Sequence, residues 1–145
     1  MAFIRQLLDK KGYDVWSTSP KASVFDVLQK MAEKNIGALV VLDGDELVGV
    51  VSERDYARKV ILQGKASMET PVGEIMTEEV VTVTPQNTIE EAMAIMTEKR
   101  FRHLPVIEDN KVIGVISIGD LVVSIIKNQE FMISQLENYI SGTQS

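Results

Sequence analysis

Cysteine is absent from all 145 residues, which removes disulfides, thiolate nucleophiles and cysteine-bound metal from consideration. Histidine occurs once. With no phosphate-binding glycine loop and no nucleophile–base pair beside it, no catalytic constellation can be assembled, so neither an enzyme activity nor a metal site is expected. Long apolar runs are missing too. Ala38–Leu42 and Leu47–Val51 fall far short of the roughly 20 residues of a spanning helix. The opening MAFIRQLLDKKGYD carries Arg5 and Asp9 where a signal peptide would be apolar. A cytoplasmic address without membrane association is the expectation. Positive charge is in deficit, 15 basic against 21 acidic residues for a net −6. That balance repels a phosphate backbone and argues against nucleic-acid binding, while leaving room for a local basic pocket. What is plentiful is core material: 45% hydrophobic and 25% charged residues suit a globular chain of about one ordinary domain.

The chain says nearly everything twice. A shift of 65 residues without gaps superposes Val15 on Val80, Pro20 on Pro85, Met31-x-Glu33-Lys34 on Met96-x-Glu98-Lys99, Leu39 on Leu104, Val41 on Val106, Gly49-Val50 on Gly114-Val115, Ser52 on Ser117 and Asp55 on Asp120. A match that runs through loops as well as apolar positions means one supersecondary unit used twice. Within each unit, Ser23-x-x-Asp26 and Thr88-x-x-Glu91 read as capping boxes. They open helices with stripes Val24, Val27, Leu28, Met31 and Ile89, Ala92, Met93, Met96. Two β-rich runs follow, Ala38–Leu42 and Leu47–Val51, then Leu104–Ile107 and Val112–Ile116. They are joined by the hairpin compositions Asp43-Gly44-Asp45 and Glu108-Asp109-Asn110. A further helix starts at Ser52 and at Ser117, and a short strand near Val15–Ser17 and Val80–Val83 precedes each unit's first helix. Each unit is thus β-α-β-β-α. The stripe of the last helix runs on through Leu121, Ile125, Met132, Leu136 and Tyr139 or Ile140, beyond what one unit needs, so its far end is expected to meet a partner.

The β-α-β-β-α unit, the doubled Gly-apolar-apolar-Ser-x-x-Asp motif, the strand Leu104-Pro105-Val106 after Arg102-His103 and the linker Val72-Gly73-Glu74-Ile75-Met76-Thr77 resemble a tandem pair of CBS domains, the Bateman module. The likeness spans about residues 13 to 127, and is strongest to stand-alone CBS-pair proteins of bacteria and organelles. It implies an α+β fold of two CBS repeats packed with pseudo-symmetry. The expected division is an N-terminal helix (1–12), repeat 1 (13–63), linker (64–79), repeat 2 (80–127) and a C-terminal helical extension and tail (128–145). The resemblance further implies an adenosine-containing ligand between the repeats and a disc-like homodimer.

Physical chemistry adds its own reading of the motif. A hydroxyl at Ser52 or Ser117 can bond a phosphate, and a carboxylate at Asp55 or Asp120 can accept the two hydroxyls of a ribose. Equally, Ser-x-x-Asp is a capping-box variant that needs no ligand. Arg102 and His103 supply donors suited to phosphate, or are an ordinary surface arginine and half-buried histidine. Their first-repeat counterparts are Gly37 and Ala38, so the two nominal sites differ chemically. Arg54, Arg58 and Lys59 give the first motif a cationic edge, or a solvated helix face. Backbone at Thr82 to Thr84 and Arg102 to Leu104 is expected to read an adenine edge. Thr18, Ala38, Pro105 and Ile116 complete the candidate set. The functional expectation is a sensor of AMP or NAD, with ATP ranked below them because cations look few, acting on an unidentified protein partner without catalysis. The competing class is a ligand-free dimerisation or interaction module, and the methionines are expected to be packing.

Overall fold

The computed structural model describes residues 2–142; Met1 and residues 143–145, which close the expected tail, lie outside the described residues. Helix α1 (Ile4–Lys11) is followed by the two-residue strand β1 (Ser17–Thr18), helix α2 (Val24–Lys34), and strands β2 (Ala38–Asp43) and β3 (Glu46–Ser52). Helix α3 (Glu53–Tyr56) then continues as a π-helical turn, Ala57–Ile61. After a 3-10 turn at Val72–Glu74 come helix α4 (Ile89–Lys99), strands β4 (His103–Glu108) and β5 (Lys111–Ser117), and helix α5 (Ile118–Ile140). The α+β repeat is present as expected.

Local chemistry explains the repetition. Ser23 caps α2 by accepting from the Asp26 N–H, and Thr88 and Glu91 form the reciprocal box that opens α4. Both helices end on a left-handed residue, Asn35 (φ 54°) and Arg100 (φ 60°), which turns the chain toward its hairpin. The hairpins are antiparallel and carry an irregularity at the same place, Val41/Leu42 and Val106/Ile107. Their two-residue turns have positive φ at Gly44 in one and at Asp109 and Asn110 in the other, as a turn matched to strand twist requires. The first strand of the second unit is weaker than expected. Only Val83 pairs, in parallel with Val106, so Val80–Val83 forms a single bridge rather than a strand.

The core divides in two, and each part takes in a segment from the far side of the repeat. Leu39, Val41 and Val51 pack with Val24, Val27 and Met31, and Val72 and Ile75 of the expected linker complete that cluster. Leu104, Val106 and Ile116 pack with Ile89, Ala92 and Met96, and there Ile4, Leu7 and Leu8 of α1 complete the cluster. The backbone repeats the exchange. Val72 N–H donates to the Ala22 carbonyl and Gly73 N–H to Pro20, while Ile4 N–H donates to Asn87 and Arg5 N–H to Pro85. Segment 2–8 is therefore the structural counterpart of segment 70–76, at an offset of 68 instead of 65. Arg5 also pairs with Glu108 of the second hairpin.

Beyond Ile125, which packs against the second cluster, α5 leaves the body. Residues 126–142 are all exposed. Among the described residues no helix is long and apolar enough to cross a membrane.

Leu8 is wholly buried, so truncating it tests whether α1 belongs to the second core. Leu8→Ala should lower unfolding free energy by about 2–5 kcal/mol, the usual cost of a core leucine. Lys10→Ala, at an exposed site, should change it by less than about 0.5 kcal/mol. Urea unfolding checks both, and equal effects would remove α1 from the core.

Candidate functional site

The ends of β2 and β3 meet at Ala38 and Ser52, and the ends of β4 and β5 at His103 and Ser117, so each Ser-x-x-Asp motif starts where its hairpin ends. Both motifs are complete capping boxes. The Ser52 hydroxyl accepts from the Asp55 N–H (3.3 Å), and Asp55 Oδ2 accepts from the Ser52 N–H (2.9 Å) and hydroxyl (3.1 Å). Ser117 and Asp120 repeat the reciprocal backbone bonds at 3.1 and 2.8 Å. The capping role of both motifs is therefore observed directly.

What lies in front of each motif differs. The first opens on a cleft of about 480 Å³ that runs between the two halves. Ser52, Arg54, Asp55, Arg58 and Lys59 line it from the first half, and Arg100, Phe101, Arg102, His103 and Pro105 from the second, with Val80, Val81 and Glu79 between them. Five cations face three acids, Glu53, Asp55 and Glu79, on a chain whose net charge is −6. Asp55 is buried and already engaged on its other oxygen, where Oδ1 accepts from the Thr77 hydroxyl (3.3 Å) and pairs with Lys59 (3.2 Å). Lys59 also donates to the Ile75 carbonyl at 2.9 Å. Apolar surface is supplied by Val50, Val80, Val81, Phe101 and Pro105.

The second motif faces α1 instead. Lys11 Nζ donates to Asp120 Oδ2 and to the Val115 carbonyl, both at 2.6 Å. Burial raises the Asp120 pKa, but the bonds from Lys11 and the Ser117 backbone outweigh it and hold the carboxyl below its ordinary range. Asp120 borders a broad groove of about 890 Å³ between α1 and α5, with Lys10, Lys11, Lys127, Val123 and Phe131. His103 is half-buried, and its pKa is lowered first by loss of solvent and then by the charges of Lys11 and Arg102, against the opposing pull of Asp120. It sits across from the first repeat, its Nε2 3.8 Å from where a Cβ on Gly37 would stand.

Of the candidate residues, the cleft therefore gathers Ser52, Arg54, Asp55, Arg102, His103 and Pro105. Asp120 lines the other groove, while Ser117, Thr18, Ala38, Thr82, Thr84, Leu104 and Ile116 line neither. Leu104 and Ile116 have no exposed surface and are core. Ala38 is buried in the pair with Ser52, and Thr18 pairs with Val41. Of the expected adenine edge at Thr82–Thr84, the Val83 N–H and carbonyl bond Pro105 and Ile107, and the Thr84 N–H bonds Asn87 Oδ1 at 2.7 Å, so these groups are already engaged. Sequence reasoning missed Arg100, Phe101, Val80, Val81 and Glu79. Arg100 alone left a trace, because it occupies the helix-ending place of Asn35.

Comparison with known proteins agrees with this architecture. Residues 5–61 and 72–127 each match the CBS domain family. The chain is 44% identical over 133 residues to the CBS domain-containing protein CBSX3, mitochondrial, of Arabidopsis thaliana. That match covers 88% of this chain and 64% of the plant protein, so this chain spans somewhat less than two thirds of that relative's length. The crystal structure of the CBS-domain containing protein ATU1752 from Agrobacterium tumefaciens superposes with a TM-score of 0.81 at 40% identity, covering 85% of this chain and 98% of that one. The CBS domain pair of protein MJ0100, solved in complex with 5-methylthioadenosine and S-adenosyl-L-methionine, shares the fold at a TM-score of 0.78 and 21% identity, over 89% and 98% of the two chains. The chain belongs to the CBS-domain family, as a tandem pair of CBS domains.

Proposed function

We propose that this CBS pair is a regulatory sensor that binds an adenosine nucleotide in the cleft between its halves and passes the change to a protein partner without transforming the ligand. The observation that carries the reading is the joining of five cations and an apolar wall in one cleft built from both repeats. Its volume of about 480 Å³ falls within the roughly 300–1,000 Å³ of small-molecule sites. Phosphates would lie toward the arginines, and a base would rest on Val80, Val81, Phe101 or Pro105. Because the walls come from different halves, a bound ligand has differential contacts to offer if those halves move, as a population shift requires. The fold-mate that binds adenosyl ligands supports the ligand class. AMP, NAD and ATP are the candidates. The scarcity of cations that ranked ATP lower does not hold inside the cleft, so ATP stands level with the others. In this reading the chain acts as a homodimer. A mitochondrial relative makes an organelle as suitable a compartment as the cytoplasm.

Arg102 is exposed, so its removal tests binding without disturbing the core. A charge-assisted hydrogen bond contributes about 1.5–3 kcal/mol, and Arg102→Ala should weaken AMP, ATP or NAD by about tenfold or more in isothermal titration while leaving the unliganded melting temperature unchanged. Unaltered affinity would take the cleft out of the reading. No binding by any of the three to the wild type would leave the ligand-free interaction module in its place.

His103 supplies a pH dependence. Its pKa in the folded protein is depressed below the ordinary value of about 6.5, so the unfolded chain takes up the proton first. The stability held by neutral His103 is present above pH ~6.5 and is lost as pH falls from there through the folded pKa. A phosphate in the cleft favours the protonated ring, so nucleotide binding should strengthen over the same window. Titrations at descending pH should show that gain in the wild type, and His103→Gln should abolish it.

A further inference from the structure

We infer that α5 pairs with the α5 of a second copy of this chain as a parallel two-stranded coiled coil along Val122, Ile126, Gln129, Ile133, Leu136 and Ile140. The inference rests on the homodimer reading above and gives it a surface and an orientation. The six residues are spaced 4, 3, 4, 3 and 4 apart, the alternation of a heptad seam. Ile126, Ile133 and Ile140 hold one row, and Val122, Gln129 and Leu136 the other. Isoleucine throughout the first row, with Leu136 in the second, leans toward two parallel strands, and Gln129 is the polar residue of the seam.

The structure leaves this seam open from end to end. Val122 and Ile126 are 42% and 48% exposed where α5 still lies on its own repeat, so the seam faces away from the body. Ile133, Leu136 and Ile140 are 55%, 60% and 82% exposed. Of the stripe read from the sequence, Leu136 lies in this seam, Met132 flanks it, and Ile125 packs against its own core. From Ile126 onward every described residue of the helix is exposed. A single helix of about 15 residues is marginal in water, and a contiguous apolar strip on it marks a contact.

Charge selects the occupant's orientation. Glu130 and Glu137 lie along one flank of the seam, and Ile125, Met132 and Tyr139 along the other. An antiparallel partner would set the glutamate flank against its own copy, carboxylate to carboxylate. A parallel partner sets it against the apolar flank, where the glutamate stems cover side chains and the carboxylates reach water. Gln129 then meets Gln129 of the other copy, where each amide can bond its twin and fix the register.

The cysteine-free chain makes the test direct. Disulfides form only when Cα atoms come within about 4.4–6.8 Å, so Ile126→Cys and Ile140→Cys, made singly, should both give covalent dimers on mild oxidation. Asn138→Cys, on the opposite side of the helix, should not. Cross-linking at only one end, at neither, or equally at Asn138→Cys would overturn the pairing. In parallel, light scattering of Ile133→Lys should show the dimer dissociating at a protein concentration more than about tenfold higher than wild type, since the seam would have to bury a charge. The nucleotide affinity of the cleft should stay unchanged. A wild-type dimer that Ile133→Lys leaves intact would sink the seam and spare the dimer, whereas a monomeric wild type at micromolar concentration would end both.

Discussion

Neither half of this protein can close its core with its own residues. A hairpin with one or two helices has a face left over, and small sheets of this kind need a further layer before they are stable. Here the missing layer is borrowed crosswise. The chain ahead of the first repeat covers the second, and the chain ahead of the second repeat covers the first. The contact is tight in both places and needs glycine. A Cβ on Gly49 would stand 2.6 Å from Met76 Sδ and 3.1 Å from the Thr77 carbonyl, and one on Gly114 would stand 2.8 Å from Leu8 Cδ2. The exchange ties the two repeats together, and the cleft lies between the halves so joined.

The same exchange shows where the sequence could be read and where it could not. The 65-residue repeat, the helices, the hairpins and the caps were legible, because each rests on periodicity or on residues three apart in the chain. The borrowed segments were not. Their offset is 68 and their residues differ, Ile4 standing for Val72 and Leu8 for Met76, so a gapless alignment passes over them and the second copy looks like a linker. The cleft was half legible for a related reason. The motif residues Ser52 and Asp55 announce themselves locally, whereas Arg100, Phe101, Val80 and Val81 reach the site only through the packing of one half on the other.

The two candidate motifs also show how little identical local sequence says about surroundings. Ser52-x-x-Asp55 and Ser117-x-x-Asp120 form the same capping box to within a few tenths of an ångström. Yet one opens on arginines from the opposite half and the other on a lysine from α1. The difference comes from what the other repeat presents. Arg102 and His103 stand opposite the first motif, and at the matching place the first repeat has Gly37 and Ala38, which carry no charge at all. Pseudo-symmetry of the backbone thus coexists with two chemically different surroundings, arginine-rich at the first motif and lysine-lined at the second, and the field of a concave patch follows the charges that line it.

In both halves the motif aspartate is bonded to the segment that the other side of the repeat lends. Asp55 accepts from Thr77, immediately after the 70–76 segment, and pairs with Lys59, which in turn donates to Ile75 within it. Asp120 accepts from Lys11 at the end of α1. A ligand hydroxyl that takes Asp55 Oδ1 must therefore share it with, or displace, the Thr77 hydroxyl or the Lys59 ammonium. Those groups are attached to the residues that close the first core, Val72 and Ile75. Occupancy of the cleft and docking of the borrowed segment thereby draw on the same carboxylate. A coupling between sites needs such a shared element with two arrangements, and on the second side the corresponding element, α1, shares a groove with the proximal half of α5. The two motif aspartates thus tie their capping boxes to the crossed segments, a link that the antiparallel pairing of the hairpin strands does not supply.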